Sequence, residues 1–541
     1  MRSMLKLPFS ALVLLAVPLF VSAQRTELHL SGYDTIGGVF ATDLQMLSPA
    51  DCLISGYGRG SMYPGAPSPG LLASVTGDQV NWSKAFYGDS SNYSIWDTTL
   101  FIGLAGTVQG TTLVADSGIL ISGSAFSAGH GHAMLALLHP ENGDTLWTTL
   151  VRSDVVGPVF HDAVQAADGS FYSVGREGQD EDSSNAIVAR FDIEGELLWY
   201  RTLSIPGADE VGMHCFARGD TLVMFCSVDY DTLSSGISVA RISSAGDLLS
   251  YQRLGSAEGY GFGAVATDGS SGFVLSTHVK SDPVVYNTGT LGLLRLGHDL
   301  SMESPLWRIG ALYEVDGGSV GGIVYDPPTD RAFVAGSVTL GVDGYDFPFA
   351  LAFSFAGSGL LWARFIEANF THNILAGIQL TESPLGLHTF SSLDFNRFVG
   401  HAMDTESGAL ALDPSCALGD WPWAMPVVTP LTVEWTVEAA VLTGPATTVA
   451  HGLTVHNAPF SSEVCLPLTL GGADNLSSAA PLMYPNPVMP GVLVRFGEQA
   501  DIYDALGRTI RTNVTQMAAP EQPGCYLVVT GERRAVLVVQ E

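Results

Sequence analysis

Four oxygen-bearing side chains crowd one short segment, Asp180, Asp182, Ser184 and Asn185 within GQDEDSSN. Carboxylate and amide oxygens at alternate positions of a loop suit calcium, which takes six to eight oxygen ligands. The segment lacks the glycine and distal glutamate of an EF-hand loop, so an acidic solvated loop is the competing reading. Calcium is the only cofactor these residues suggest. Asp229 with Asp231 and Asp343 with Asp346 repeat the theme more weakly. His130 and His132 lie two apart and would share one side of an extended chain, but zinc needs further ligands and a second shell. His161-Asp162 places an imidazole beside a carboxylate, a pairing capable of acid–base work, with no nucleophile nearby. No G-x-S-x-G, H-E-x-x-H, phosphate loop or dinucleotide fingerprint occurs in a suitable context. No residue is therefore assigned a catalytic role.

Six cysteines (52, 215, 226, 416, 465 and 525) are spread without a CxxC or Cys/His cluster, which argues against structural zinc. Cys215 and Cys226 flank the turn at Arg218-Gly219-Asp220 and are expected to face each other across a hairpin. Cys416 and Cys465 bracket a segment of about 50 residues, and a bridge between them would contribute roughly 4 kcal/mol by loop closure.

The net charge is −31, with 23 basic and 54 acidic residues. That balance excludes nucleic acid as a partner, because phosphate recognition needs clustered lysine and arginine. Residues 1–23 have the build of a secretory signal: Arg2 and Lys6, an apolar run over Phe9–Val21, and small residues at Val21-Ser22-Ala23. No later run is long and apolar enough for a transmembrane helix, so an exported protein is expected.

The elements that would position these groups form a repeat. Strand, polar loop, strand, turn, strand reads clearly in Gly169–Leu203 and recurs along the chain. Its landmark is an aromatic residue in the last strand: Trp82, Trp147, Trp199, Tyr251, Trp307 and Trp362, at successive spacings of 65, 52, 52, 56 and 55 residues. Four short strands per unit at this period read as propeller blades. With a degraded unit over Asn373–Leu412 ending in ALALD, the count is seven, with six and eight as neighbouring counts. The fold class is all-β: a single β-propeller over residues 24–412, followed by a small antiparallel β-sandwich. The recurrent tryptophan is expected to pack between blades. The loops joining second to third strands (Tyr57–Gly70, Ser124–Gly131, Arg176–Asn185, Asp229–Gly236, Lys280–Thr290 and Thr339–Phe347) share one face and form the expected binding surface. Residues 413–470 break the period and read as an extension on the last blade or a small β module. Residues 471–480 have linker composition.

Residues 481–541 carry Tyr484-Pro485-Asn486-Pro487, Asp504-Ala505-Leu506-Gly507-Arg508 and Gly524-Cys525-Tyr526. This stretch resembles the type A C-terminal sorting domain of type IX secretion cargo, and the repeat array resembles secreted propeller-like arrays of Bacteroidota. Cys525 and the ending Val538-Val539-Gln540-Glu541 depart from the usual pattern, which has a small apolar residue and a terminal lysine there. The resemblance implies the type IX machinery as partner, translocation across the outer membrane, and a secreted or cell-surface destination. Together the residues point to a non-catalytic propeller that binds an extracellular polysaccharide, protein or surface component. A secreted propeller hydrolase or lyase acting on a polymer, and a purely structural surface component, are the two alternatives.

Overall fold

In the computed structural model, the described residues are the strands and most tight turns between residues 25 and 464, and the strands and a few turns of a second unit between residues 483 and 539. The proposed signal segment, the 471–480 linker and most of the longer loops lie outside them. The first unit is a seven-bladed β-propeller. Blades 1 to 6 span residues 36–87, 106–152, 159–204, 209–255, 260–310 and 318–366, each four antiparallel strands in sequence order. Blade 7 takes three strands from residues 373–403 and its fourth from the N-terminus, Arg25–Leu30, which pairs with Arg397–Met403. The sequence places that fourth strand at ALALD; those residues lie outside the described ones, and the N-terminal strand holds the position instead.

Middle strands are covered on both faces by neighbouring blades, so they read as near-continuous apolar runs. Phe171–Val174, Ala133–Met134 and Leu222–Cys226 are almost completely buried. Hydrophobic clusters fill successive blade interfaces; one joins Val174, Val188 and Leu203 of blade 3 to Met224, Ala240 and Tyr251 of blade 4. Every innermost strand carries a register shift near its middle, as between Phe160 and Asp162 or Gly212 and His214. Such bulges bend the strand and sharpen its twist, which suits the crowded axis of a ring.

Residues 418–464 are neither confined to the last blade nor a separate module. They form a strap of seven strands of three to five residues, and each adds a fifth strand to one blade. Leu418–Asp420 pairs with blade 6, Val427–Leu431 with blade 5, Glu434–Val437 with blade 4 and Val441–Thr443 with blade 3. Thr447–Val449, Thr454–Asn457 and Phe460–Val464 then reach blades 2, 1 and 7. Steps of about seven residues reach at most about 25 Å, so the strap runs extended around the rim. Its last strand pairs with Arg25–Leu30, which is thereby hydrogen-bonded on both edges.

The strap covers mainly the loop-side ends of the outer strands. The uncovered halves of four blades present Leu146, Leu198, Leu249 and Leu361, each 43–55% exposed. Leu306 of blade 5 instead faces the core shared by blades 4 and 5, where Leu431 of the strap packs on the same cluster, and is fully buried.

The tryptophans lie between blades. Trp147 of blade 2 sits against the turn of blade 3 at Gly195, and Trp362 of blade 6 against the turn of blade 7 at Gly408. A Cβ on either glycine would lie 2.5 Å from the indole. Trp82, Trp199 and Trp362 also donate their indole N–H to Pro140, Ser244 and Thr405 carbonyls of the next blade's turn, at 3.0–3.1 Å. The register corrects one alignment. Ser250, opposite Arg241, occupies the tryptophan position of blade 4, as Trp199 opposite Arg190 does in blade 3; Tyr251 is the counterpart of Tyr200.

The second unit is a five-stranded antiparallel sheet, with Val494, Phe496, Ala500, Ile502, Tyr526 and Val528 in its core. Tyr484 pairs with Arg495, Gly524 begins a strand opposite Val539, and Arg508 is exposed. The Tyr526 hydroxyl donates to the Gln522 carbonyl at 2.7 Å, tying the strand to the turn before it. Pro485, Asn486, Pro487, Asp504 and Gly507 lie outside the described residues. No helix among the described residues is long and apolar enough to cross a membrane.

Candidate functional site

Of the calcium candidates, Asp180 and Asp182 lie outside the described residues. Asn185 begins the third strand of blade 3, and its Oδ1 accepts from the Ser204 hydroxyl at 2.9 Å. Ser184 is buried, and its carbonyl accepts from the Glu210 N–H of blade 4. His132 is buried within blade 2. Among the described residues no group of three His, Cys, Asp or Glu is placed to hold a metal.

The cysteine pair expected across the blade 4 hairpin is not formed. Cys215 lies opposite Met224 and Cys226 opposite Gly212, because the two flank the Arg218–Thr221 pair at unequal distances, one closer to the turn than the other. Both are free and buried, and burial pushes both thiols well above their usual range. Cys416 and Cys465 lie outside the described residues.

His161-Asp162 is placed on the innermost strand of blade 3, at its bulge. Asp162 links two blades: its carboxylate accepts from the Cys215 N–H of blade 4 at 2.9 Å and from the Ala163 N–H at 2.8 Å. The His214 ring lies beside it, Nδ1 3.4 Å from Oδ2. Asp43 plays the same part between blades 1 and 2, accepting from the Thr111 N–H and hydroxyl at 2.9 and 2.7 Å. Blades 6 and 7 use small residues instead, with Gly322 against Ile378 and Gly377 against Leu44 of blade 1. The inner wall is thus polar in blades 1 to 4 and small in blades 6 and 7.

Above that wall, toward the loop face, sit two buried carboxylates that the sequence reading missed. Glu177 accepts from the Tyr200 and Thr202 hydroxyls at 2.6 and 2.7 Å. Glu210 accepts from the Tyr251 hydroxyl. Burial and the adjoining carboxylate push both phenols far above their usual range, so they serve as donors. The available signal was an acidic residue at the end or start of a strand, with a tyrosine two or three strands on.

Three histidines titrate low. His161, His278 and His388 are each pushed down to about 4, mainly by burial; Arg176 and His214 add to the effect at His161. His278 accepts the Val320 N–H at 3.2 Å through Nε2, which needs a neutral ring and joins blade 5 to blade 6. A folded value below the unfolded one means the unfolded chain takes up more protons between about pH 6.5 and 4. The stability due to these rings is complete above pH 6.5 and is lost as pH falls toward 4. Asp43, raised by burial, acts in the opposite sense. Thermal unfolding followed from pH 7.5 to 4.5 should show a steadily falling midpoint, and His278→Gln should flatten that slope. A flat wild-type profile would contradict it.

No protein-family model matches the chain, and no curated protein matches it. Solved structures match it at low identity. Synechocystis apocarotenoid oxygenase is 12% identical, over 75% of this chain and 97% of that one, with a TM-score of 0.40. The β-propeller domain of the Trilobed protease from Pyrococcus furiosus is 10% identical, over 69% and 96%, at 0.38. A neuraminidase-like protein from A/bat/Guatemala is 8% identical, over 58% and 88%, at 0.36.

Proposed function

We propose that this chain is an exported, non-catalytic β-propeller that binds an extracellular polysaccharide at the loop-side mouth of its ring, near blades 3 and 4. The observation that carries the reading is the polar sector there: His161, Asp162, Arg176 and His214 on two adjoining blades, with Arg176 at the loop-side end of its strand. Binding groups concentrate where a rigid scaffold presents irregular segments. The resemblance of residues 481–541 to a type IX sorting domain, with the leader-like N-terminus, supports delivery to the cell surface or medium.

A propeller hydrolase or lyase is the second reading, favoured by three titratable groups, His161, Asp162 and His214, in one sector. Against it, Asp162 already accepts two backbone N–H groups that hold blade 4 in place. The deciding experiment is a thermal-shift screen of the full chain with neutral and acidic polysaccharides, calcium and chelator. A ligand at 100 times its Kd should add about 2.7 kcal/mol of stability. A shift with one polysaccharide that is recovered uncleaved supports binding, whereas cleavage transfers the assignment to the enzyme. No shift with any polysaccharide defeats the proposal, and self-association without ligand would then favour a structural surface component.

A further inference from the structure

Most basic side chains of this acidic protein that line its blades are committed to partners. Arg190 pairs with Asp168, Arg331 with Glu406, Lys84 with Asp144, and Arg295 with Glu303 and Asp330. Arg176 differs. It is half-buried at the loop-side end of the second strand of blade 3, and makes no ion pair or hydrogen bond among the described residues. Asp162 lies beyond ion-pair distance from it, occupied by the Cys215 and Ala163 N–H groups and beside His214.

A second unmet group sits beside it. His161 Nε2 is sealed from solvent without a hydrogen-bond partner. Buried polar atoms are almost always partnered, and each exception calls for an explanation. A half-buried guanidinium without an anion is likewise costly. The His214 ring, 37% exposed, closes the group from blade 4, with the Phe262 ring of blade 5 at 5.8 Å. Arg176 and His214 both act electrostatically on His161, so the three groups are neighbours, and the Phe262 ring lies beside His214.

We propose that this notch between blades 3 and 4 binds a carboxylate borne on a saccharide ring, as in a uronate-containing polysaccharide. This rests on the binding reading above and names its ligand class. The planar guanidinium of Arg176 takes the carboxylate through paired N–H donors. His161 donates Nε2–H to the same group, so that one ligand satisfies both orphans. The apolar face of the sugar lies toward Phe262 and His214.

The test is calorimetric titration of the full chain with an oligoglucuronate, a neutral glucose oligosaccharide of equal length, glutamate and acetate. The oligoglucuronate should bind and the neutral sugar should not. Arg176→Gln should weaken binding at least tenfold and His161→Gln by three- to tenfold, with Arg176→Lys between wild type and Arg176→Gln. Arg152→Gln, an exposed arginine on the blade 2 rim, should change nothing. Unchanged circular dichroism and melting of each variant separate lost binding from lost folding. Equal affinity for the neutral sugar, or unchanged affinity in Arg176→Gln, overturns the proposal. Equal affinity for acetate overturns the saccharide component and leaves an adventitious ion only. Polysaccharide binding that ignores Arg176 would defeat this site while sparing the broader reading, whereas no polysaccharide binding defeats both.

Discussion

Removing residues 413–465, with the flanking segments rejoined, should turn the protein into self-associating material without a cooperative melt. The strap supplies the outermost strand of every blade, so its loss opens seven sheet edges at once, and open edges are templates for pairing with other chains. Each net hydrogen bond contributes about 0.5–1.5 kcal/mol, and the strap makes on the order of twenty. Their sum is comparable to the whole stability of a typical domain, about 5–15 kcal/mol. Arg25–Leu30 would also lose the partner on its second edge, leaving ring closure to one strand pairing. Sedimentation and calorimetry would read the outcome; a monomer melting within a few degrees of wild type would show that the strap is decoration. A graded version is Thr436→Pro. Thr436 lies opposite Arg253 in the middle of a four-residue strand, and proline there removes a donor and restricts the preceding residue. It should lower the melting temperature while leaving a folded monomer.

The blades were legible in the sequence because their middle strands are buried on both faces. AIVARF and AMLALL read as strands without knowledge of their neighbours, and the turns between them carry glycine. The strap was not legible, for a physical reason. Its strands are three to five residues long, shorter than the stretch over which alternation can be recognised, and each is stable only because a blade edge is already present. The one available signal was numerical: short valine- and threonine-rich runs at steps of about seven residues, as many as the blades. The N-terminal closing strand was missed because RTELHL follows the leader-like segment and has no counterpart nearby. The sequence offers Tyr251 in place of the tryptophan because blade 4 has Ser250 at that position, and the nearest aromatic, the counterpart of Tyr200, lies one residue on. Cys215 and Cys226 read as partners only because both flank one turn; their unequal distances from the Arg218–Thr221 pair put them out of register. His161 and Asp162 were noticed for their chemistry, but Arg176 gains its meaning only from what it does not touch.

Trp362→Ala should cost about 3–5 kcal/mol, the range for truncating a buried large aromatic, since Trp362 is 3% exposed and loses its N–H bond to Thr405. Gly408→Ala should cost about 2–3 kcal/mol. One part is the left-handed backbone at φ +65°, about 1–2 kcal/mol for a residue with a Cβ; the rest is overlap with the indole, 2.5 Å away. In the Trp362→Ala background the overlap disappears and only the backbone part is left, so the double mutant should be more stable than the sum of the singles predicts. A coupling of about 1 kcal/mol is well above the scatter of additive sites; strict additivity would mean the tryptophan and the turn do not bear on each other. Blade 4 offers the reverse experiment. There Ser250 replaces the tryptophan, and the next blade's turn carries Leu300, at φ +70° and buried in the core shared by blades 4 and 5, where blades 2, 3, 4 and 7 have glycine. A small outer-strand residue with a large turn residue fills the interface as tryptophan with glycine does elsewhere. Ser250→Trp should therefore be destabilising against Leu300, and Leu300→Gly should leave a cavity costing about 2–4 kcal/mol. The two together should restore most of the loss, because they recreate the arrangement that Trp199 makes with Gly246 one interface earlier. A double mutant no more stable than the worse single would show that Leu300 is held for a reason unrelated to the missing indole.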